Sequence, residues 1–219
     1  MSSVNRSPNE RAGTRRALIE AAARLIATEG VGALTLRRVA DEVGTSTMAI
    51  YTHFGGMPEL RRAVRREGFA KLAARGARVG ASDDPVADVA MLGLEYYDHA
   101  ISDPHLYRVM YMEQPLDDDD AETGWDTFST LAAAMRRCID AGRFAPADAE
   151  DLAREFWALG HGVITLQLAQ LLSAEQARGC LLGAVTKLFR SYGDDPQATA
   201  DSLARVAQRA EARLEPDAA

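Results

Sequence analysis

Residues 44–54, GTSTMAIYTHF, combine small hydroxyl side chains with Met, Tyr and His in one short run. Hydroxyl, phenol and imidazole groups give and accept hydrogen bonds, and a Met side chain can lie against a thymine methyl group. The run contains no acidic residue, so its polar side does not repel a polyanion. The chemistry that these residue types offer is recognition of base edges and phosphates rather than covalent catalysis.

The flanking sequence predicts the helices that would carry these side chains. Thr35 suits the N-cap of a helix over 36–43, Gly44 can end that helix, and Ser46 can cap a short helix through His53. Two such helices form a helix-turn-helix unit, whose second helix enters a DNA major groove about 12 Å wide. The outward positions of the second helix are Thr47, Met48, Tyr51, Thr52 and His53. The alternative is a three-helix unit that binds protein or is purely structural.

The stretch GALTLRRVADEVGTSTMAIYTHFGGMPEL (32–60) resembles the DNA-binding domain of the TetR family of bacterial transcriptional regulators. The similarity covers about residues 12–60. It lies in the order and spacing of Thr35, Val39-Ala40, Gly44, Tyr51-Thr52-His53-Phe54 and Glu59-Leu60. The resemblance implies a repressor that binds a palindromic operator in double-stranded DNA as a dimer and is released by a small, largely apolar effector.

The same resemblance assigns roles to individual residues. It implies backbone contacts from Thr35, Tyr51 and His53 and base contacts from Arg37, Thr47 and Met48; Ser46 and Thr52 complete the predicted DNA-binding set. Family members commonly carry a Lys just before the fourth helix, where it contacts a phosphate, and this chain has Met57-Pro58 there. Arg61, Arg62 or the helix N-terminus would then have to replace that contact. Further phosphate contacts are expected from Arg11, Arg15 and Arg16.

The charge is divided unevenly along the 219 residues. The net charge is −7, yet residues 1–80 hold 14 basic and 7 acidic residues, and residues 81–219 hold 11 basic and 25 acidic ones. This asymmetry favours a basic module for a polyanion joined to an acidic module. No apolar run is long enough to span a membrane and no secretory signal precedes the first helix, so we expect a cytoplasmic protein.

Apolar spacing and capping residues predict helices almost throughout, so the expected fold class is all-α. It consists of an N-terminal three-helix helix-turn-helix DNA-binding domain and a larger helical ligand-binding and dimerisation domain. Predicted helices cover 14–29, 36–43, 46–53, 58–79, 85–102, 104–112, 122–141, 146–172 and 174–192. Thr14, Pro146 and the Ser173–Gln176 capping box mark three of their starts. The predicted divisions are a flexible arm (1–11), the helix-turn-helix domain (12–57), a connecting helix (58–81), the ligand-binding domain (82–193) and a tail with room for one helix (194–219).

Two of these helices, at about 146–172 and 174–192, are predicted to form a homodimer interface. The first is apolar on more than one side, and the second carries small residues that permit close approach. Two operator half-sites lie about 34–36 Å apart, so reading both requires two copies of the recognition helix. The alternative is that both helices serve only the core of a single chain.

The segment WALGHG (157–162) resembles the Trp-His-Gly signature of one class of TetR C-terminal domains. Trp157 and His161 are four residues apart and share a helix face, with Gly162 expected to leave room beside them. His161 is either a core residue hydrogen-bonded to a carbonyl, an Asp or a Tyr, or a polar group in an effector pocket. The other predicted pocket residues are large and apolar: Met91, Leu94, Tyr97, Tyr107, Met110, Trp125, Phe128 and Leu131.

Other functions find less support. A helical enzyme centred on His161 and Glu155 would need a nucleophile, yet Ser129, Cys138 and Cys180 lack a recognisable catalytic signature. We expect both cysteines to be buried thiols and the acidic loop 113–122, with its four consecutive Asp, to be solvated rather than a metal site. No metal or cofactor is expected. A regulator without an effector remains the third hypothesis.

Overall fold

The computed structural model describes residues 8–214, with side chains from 9 to 212, and within this part of the chain every regular element is a helix. The all-α prediction is therefore confirmed. The helices are α1 (Pro8–Glu29), a 3-10 helix (Val31–Ala33), α2 (Leu36–Val43), α3 (Thr47–Phe54), α4 (Met57–Ala77), α5 (Pro85–Ser102), α6 (Pro104–Tyr111), α7 (Asp118–Ala121), α8 (Trp125–Asp140), α9 (Ala149–Leu168), α10 (Ala174–Ser191) and α11 (Pro196–Leu214).

The described chain divides into two compact units. The first comprises residues 8–71 and Asp103–Gly124, and the second comprises Leu72–Ser102 and residues 125–214. The division lies within α4, and α6 and α7 group with the N-terminal helices. Of the predicted flexible arm, residues 1–7 lie outside the described residues, and the remainder is part of α1. The domain boundaries proposed from the sequence stay predictions.

Three helix starts differ from the predicted ones by three residues or more. Thr14 is not an N-cap, because α1 begins at Pro8 and the Thr14 hydroxyl donates to the Glu10 carbonyl oxygen at 2.9 Å. Helix α8 begins at Trp125 rather than at 122. Helix α9 begins at Ala149, where the Asp148 side chain accepts from two backbone N–H groups and so caps the helix in place of Pro146. The capping box of Ser173 and Gln176 is confirmed.

The apolar core of the first unit is built from side chains of α1, α2, α3 and α4. Fully buried side chains of this core include Leu18, Ile26, Val39, Ile50 and Leu60. Helix α6 packs closely on α4 because Gly68 has no side chain: a Cβ at that position would lie 2.8 Å from the sulfur of Met110. The helix-turn-helix formed by α2 and α3 therefore packs on the apolar core of the first unit through buried Val39 and Ile50.

Most of the acidic segment 113–122 is exposed, as predicted, but it contains one helical turn and one buried carboxylate. Residues Asp118–Ala121 form the one-turn helix α7, and the Asp117 side chain accepts from the backbone N–H of Asp120 at 2.9 Å. Asp120 is only 3% exposed, and its carboxylate is 3.2 Å from the Arg65 guanidinium. Nothing in the sequence indicated that Asp120 is buried, because a run of like charges is usually a solvated face and its partner Arg65 lies 55 residues earlier in the chain.

The core of the second unit contains three aromatic rings in contact. Phe189 lies 5.5 Å from Phe144 and 5.7 Å from Phe156, measured between ring centroids. Gly93 on α5 admits the Phe156 ring, since a Cβ there would lie 2.7 Å from the ring. Cys138 is buried in this core as predicted, and burial raises its pKa to about 12. Cys180 is exposed in the chain, contrary to prediction, because it lies on the side of α10 away from this core.

An ion-pair network joins α11 to the rest of the second unit. Asp194, just before α11, accepts two hydrogen bonds from Arg143, at 2.6 and 2.9 Å. Arg205 pairs with Asp84, and Arg209 donates to the Val79 carbonyl oxygen at 3.1 Å. The tail beyond residue 194 thus contains the single helix for which the sequence has room, and charged side chains as well as apolar ones hold it.

Candidate nucleic-acid interface and effector region

Helix α2 is fixed at both ends by its own sequence. The Thr35 hydroxyl oxygen accepts from the Arg38 backbone N–H at 3.3 Å, which makes Thr35 the N-cap. Gly44 ends the helix in the left-handed conformation at φ 67°, which favours glycine because it has no Cβ. Arg38 donates two hydrogen bonds of 2.6 Å to Glu29. Helix α2 is therefore capped by Thr35 at its start and by Gly44 at its end, and a bidentate ion pair joins it to the last residue of α1.

Helix α3 buries one side and exposes the other. Ile50 is fully buried and Phe54 is 9% exposed, while Met48 is 66% and Tyr51 48% exposed. Thr47 and Thr52 are also exposed, and the Thr52 hydroxyl donates to the Met48 carbonyl oxygen at 2.8 Å. His53 is half-buried, with its ring 6.3 Å from that of Phe54. The structure thus places four of the predicted residues on one open face and His53 at its edge.

The remaining predicted DNA-binding residues lie on exposed positions beside α3. Thr35 and Ser46 are exposed, and Ser46 makes no side-chain capping bond in its N-cap position. Arg37 is solvent-exposed and approaches Asp41 at 3.9 Å. Arg15 lies over the Phe54 ring, 5.1 Å from its centroid, and Arg16 pairs with Glu20 at 2.8 Å. Hydroxyl, phenol and guanidinium groups accordingly surround the open face of α3, a composition that suits phosphates and base edges.

In the second unit, Trp157, His161 and Tyr96 form one hydrogen-bonded cluster. The Trp157 indole N–H donates to the Tyr96 hydroxyl oxygen at 3.2 Å, and that hydroxyl lies 3.1 Å from His161 Nδ1. The rings of Trp157 and His161 are 5.6 Å apart. Burial lowers the pKa of His161, which favours the neutral imidazole. An unprotonated Nδ1 can then accept a hydrogen bond from the Tyr96 hydroxyl. Gly160, not Gly162, adjoins this cluster, since a Cβ on Gly160 would lie 3.8 Å from the Tyr96 ring.

The other predicted effector residues fall into separate groups. Met91 and Tyr97 are buried on α5, with the Tyr97 hydroxyl donating to Gln167 at 2.7 Å, and Leu94, Phe128 and Leu131 are half-buried. Trp125 is 57% exposed and its ring lies 5.1 Å from that of Phe128. Tyr107 and Met110 are buried within the first unit. The sequence analysis missed Tyr96, whose partner His161 is 65 residues away; the only signal was its hydroxyl group.

A hollow of about 220 Å³ lies elsewhere in the second unit. Small side chains dominate its wall, and its charged groups, Asp88 and Arg137, are bonded to each other at 2.8 Å. Its lining residues are Gly76, Ala77, Gly80, Asp88, Leu92, Thr130, Ala133, Ala134 and Arg137. None of the predicted effector residues lies on this wall. Within residues 8–214 there is no group of three or more potential metal-ligating side chains, and no helix long and apolar enough to cross a bilayer.

Two family models match this sequence. The model described as "Bacterial regulatory proteins, tetR family" matches residues 18–64. A second, "Tetracyclin repressor-like, C-terminal domain", matches residues 89–180. The chain belongs to the TetR family. It is therefore a transcriptional regulator with a helix-turn-helix DNA-binding domain, not an enzyme centred on His161.

Individual relatives agree with this family. An uncharacterized HTH-type transcriptional regulator of Mycobacterium tuberculosis is 27% identical over 162 residues, which cover 73% of this chain and 72% of the relative. A protein of unknown function from Rhodococcus sp. RHA1 superposes with a TM-score of 0.74 at 24% identity, over 88% of this chain and 99% of that one. RolR in complex with resorcinol gives a TM-score of 0.67 at 17% identity, over 90% and 96% of the two chains. At these identities the two solved structures support the fold alone.

Proposed function

We propose that this TetR-family regulator is a homodimeric repressor that binds a palindromic operator and is released by a small, largely apolar effector. The observation that carries the proposal is the open face of α3, where Thr47, Met48, Tyr51 and Thr52 project from a helix anchored by buried Ile50. A helix presenting short polar side chains fits the major groove and reads base edges there.

Selection of genomic fragments on the purified protein at near-physiological salt tests the proposal directly. Recovery of one or a few palindromic sites is the expected result, because two symmetry-related recognition helices read two equivalent half-sites. Recovery of fragments without a shared motif would contradict specific operator binding. Salt must be fixed in this experiment, since phosphate contacts make DNA affinity strongly salt-dependent.

Substitution of two exposed residues identifies the reading face. Arg37→Ala and Tyr51→Ala are each expected to weaken binding to the selected site about fivefold or more, because a good base or phosphate contact contributes about 1–3 kcal/mol. Titration of labelled DNA measures the effect. Arg136→Ala, which removes an exposed arginine from α8, is the matched control and should leave affinity nearly unchanged. Unchanged affinity in both test variants would contradict the assignment of this face.

The proposed dimer rests on an open face of α10. Leu182 is 59% exposed there, and a Cβ added to Gly179 or Gly183 would meet nothing within 4 Å. On α9, Leu166 is 43% exposed and Gly162 is likewise open. Small residues beside exposed leucines allow a second copy of the two helices to approach closely, and a closed two-fold pairing presents two DNA-binding units.

A charged residue at Leu182 is expected to separate the subunits. Leu182→Glu places a carboxylate where the proposed interface excludes water, whereas in the single chain that position is exposed and tolerates it. Light scattering at micromolar concentration should show the mass falling from twice 23.7 kDa towards 23.7 kDa. Leu116→Glu, the same change at an exposed leucine of the first unit, should not alter the mass. A Leu182→Glu protein that remains dimeric would place the interface elsewhere.

The proposed effector site includes Trp157 and His161. We add Tyr96 to it because its hydroxyl lies within hydrogen-bond distance of both. Apolar surroundings with a few polar groups are typical of small-molecule sites, and the linked indole, phenol and imidazole supply such groups. RolR is a fold relative whose solved complex contains resorcinol. An effector must bind the DNA-incompetent conformation more tightly than the competent one. Release of bound DNA by a small molecule distinguishes this mechanism from a regulator that acts without an effector.

A further inference from the structure

Four arginines on helix α4 all face carboxylates of the acidic segment 113–122. Within the first unit, Arg61 lies 3.8 Å from Glu113, Arg65 lies 3.2 Å from Asp120, and Arg66 lies 2.5 Å from Asp119. Arg62 pairs with Asp117 and lies 4.0 Å from Asp120. Every arginine in the run RRAVRR (61–66) is therefore partly neutralised by this segment.

One of these contacts is a fixed anchor. The Arg65 side chain is 12% exposed and also donates to the Met110 carbonyl oxygen at 3.0 Å. The Asp120 carboxylate is 4% exposed and also accepts from the Leu116 backbone N–H at 2.9 Å. Because both side chains are largely buried and each has a second partner, this pair holds the acidic segment against α4.

The neighbouring contacts use exposed carboxylates and are incomplete. The Asp117 side chain is 53% exposed and that of its partner Arg62 is 20% exposed, while the Arg66–Asp119 pair is 49% and 75% exposed. Arg62 Nε faces Asp120 Oδ1, yet both atoms are buried without a hydrogen-bond partner. The backbone N–H of Asp120 and the Arg62 guanidinium hold the pKa of Asp117 below its ordinary value, so this carboxylate is charged at neutral pH. Exposed charges of this kind can exchange one anion for another at little cost.

The position of Arg61 and Arg62 along α4 indicates that DNA phosphate is the anion that competes with these carboxylates for the guanidinium groups. Helix α4 begins at Met57, directly after Gly55 and Gly56 follow α3. Arg61 and Arg62 come four and five residues later, about 6–8 Å along the helix axis. Met57 supplies no cation next to the recognition helix, and these two are the next guanidinium groups along the chain. Phosphate is bound by guanidinium in the same bidentate manner as carboxylate.

We propose that the acidic segment is an internal substitute for DNA phosphate: Asp117 and Asp119 occupy the guanidinium groups of Arg62 and Arg66, and binding to DNA displaces them. The exchange replaces one anion by another, so the arginines add affinity only where the duplex is held close by α3. A free cluster of four arginines would bind any duplex, because backbone neutralisation supplies most non-specific affinity. The acidic segment thereby restrains non-specific binding.

The test compares two double variants that remove the same charge. Asp117→Asn with Asp119→Asn leaves the Asp120 anchor intact, and Asn is also a good N-cap for α7. Glu150→Gln with Asp151→Asn is the control, since both residues are exposed and pair with Arg154 in the second unit. Binding of full-length protein to a labelled 30-base-pair duplex without an operator is measured across about 50 to 200 mM KCl, the range over which phosphate contacts change affinity most clearly.

The proposal predicts that the Asp117/Asp119 variant binds the duplex about threefold or more tightly than wild type at 100 mM KCl. The slope of log affinity against log KCl concentration should be steeper by about 0.9 for each phosphate newly neutralised. The control variant should resemble wild type. Adding Arg62→Ala to the Asp117/Asp119 variant should remove at least half of the gain. Because this duplex contains no operator, the result is independent of whether a specific site exists.

Three results would overturn the proposal. An equal gain in the control would show a general charge effect, and an unchanged or lower affinity would give the acidic segment a purely structural role. A gain that survives Arg62→Ala and Arg66→Ala together would assign it to other residues. Asp117→Ser with Asp119→Ser, which removes the same charge and keeps a capping hydroxyl at 117, replaces the first double variant if circular dichroism shows loss of helix. The same expected gain and the same three contrary results apply to it.

Discussion

Arg143→Ala is expected to lower the free energy of unfolding by about 3–5 kcal/mol, the range seen when one partner of a buried ion pair is removed. Arg143 donates to both oxygens of Asp194 and also to Asp84 and Ser202, at 3.3 and 3.1 Å. The Asp194 side chain is 1% exposed, and the Thr199 hydroxyl also donates to it at 2.6 Å. Its charge would be left in the protein interior without a cation.

Urea unfolding followed by circular dichroism measures this loss. The comparison requires that the free energy of unfolding fall with urea concentration at the same slope in both proteins. Arg154→Ala is the matched control: its guanidinium is 52% exposed and pairs with Glu150 at 3.0 Å and with Asp151 on the same helix turn. Exposed pairs contribute about 1 kcal/mol or less, so the control should change little. Similar losses in the two variants would mean that the Arg143 network is solvated and that apolar packing alone holds α11.

Local signals in the sequence were sufficient for most helices and for the recognition face. The start of α2 at Thr35 and its end at Gly44 depend on residues within one turn, and the structure shows both caps. The outward positions of α3 follow from a period of 3.6 residues once Ile50 and Phe54 are assigned inward. Thr14 misled the prediction because a threonine within a helix can donate to the carbonyl four residues earlier, as Thr14 does.

The effector region depends on contacts that no local pattern contains. His161 was expected to have a carbonyl, an Asp or a Tyr as partner, and the tyrosine is Tyr96, on another helix. Spacing placed Trp157 and His161 on one face correctly, yet it gave no reason to choose Tyr96 over its neighbour Tyr97, which bonds to Gln167 instead. Side chains that meet across helices depend on packing angles, and these are set by the whole core.

In the acidic segment, the burial of Asp120 depends on a contact with Arg65, which is distant in the sequence. Asp120→Ala is expected to destabilise the first unit by about 3 kcal/mol or more, because it leaves the Arg65 charge without its buried partner. Arg65 is 12% exposed, and after the change the Met110 carbonyl oxygen on α6 would remain as an acceptor for its guanidinium. The Leu116 N–H would lose its acceptor too.

Hydrogen exchange resolved by segment is the appropriate measurement, because it reports on the first unit separately from the second. Amides of α6 and the middle of α4 should lose protection in Asp120→Ala. Asp119→Ala, at a position whose side chain is 75% exposed, should change the same amides by less than about 1 kcal/mol, as exposed pairs do. Equal effects at the two positions would contradict a division of the acidic segment into a buried anchor at Asp120 and exchangeable surface charges at Asp117 and Asp119. A large effect at Asp120 alone would establish the anchor on which the proposed exchange with DNA phosphate depends.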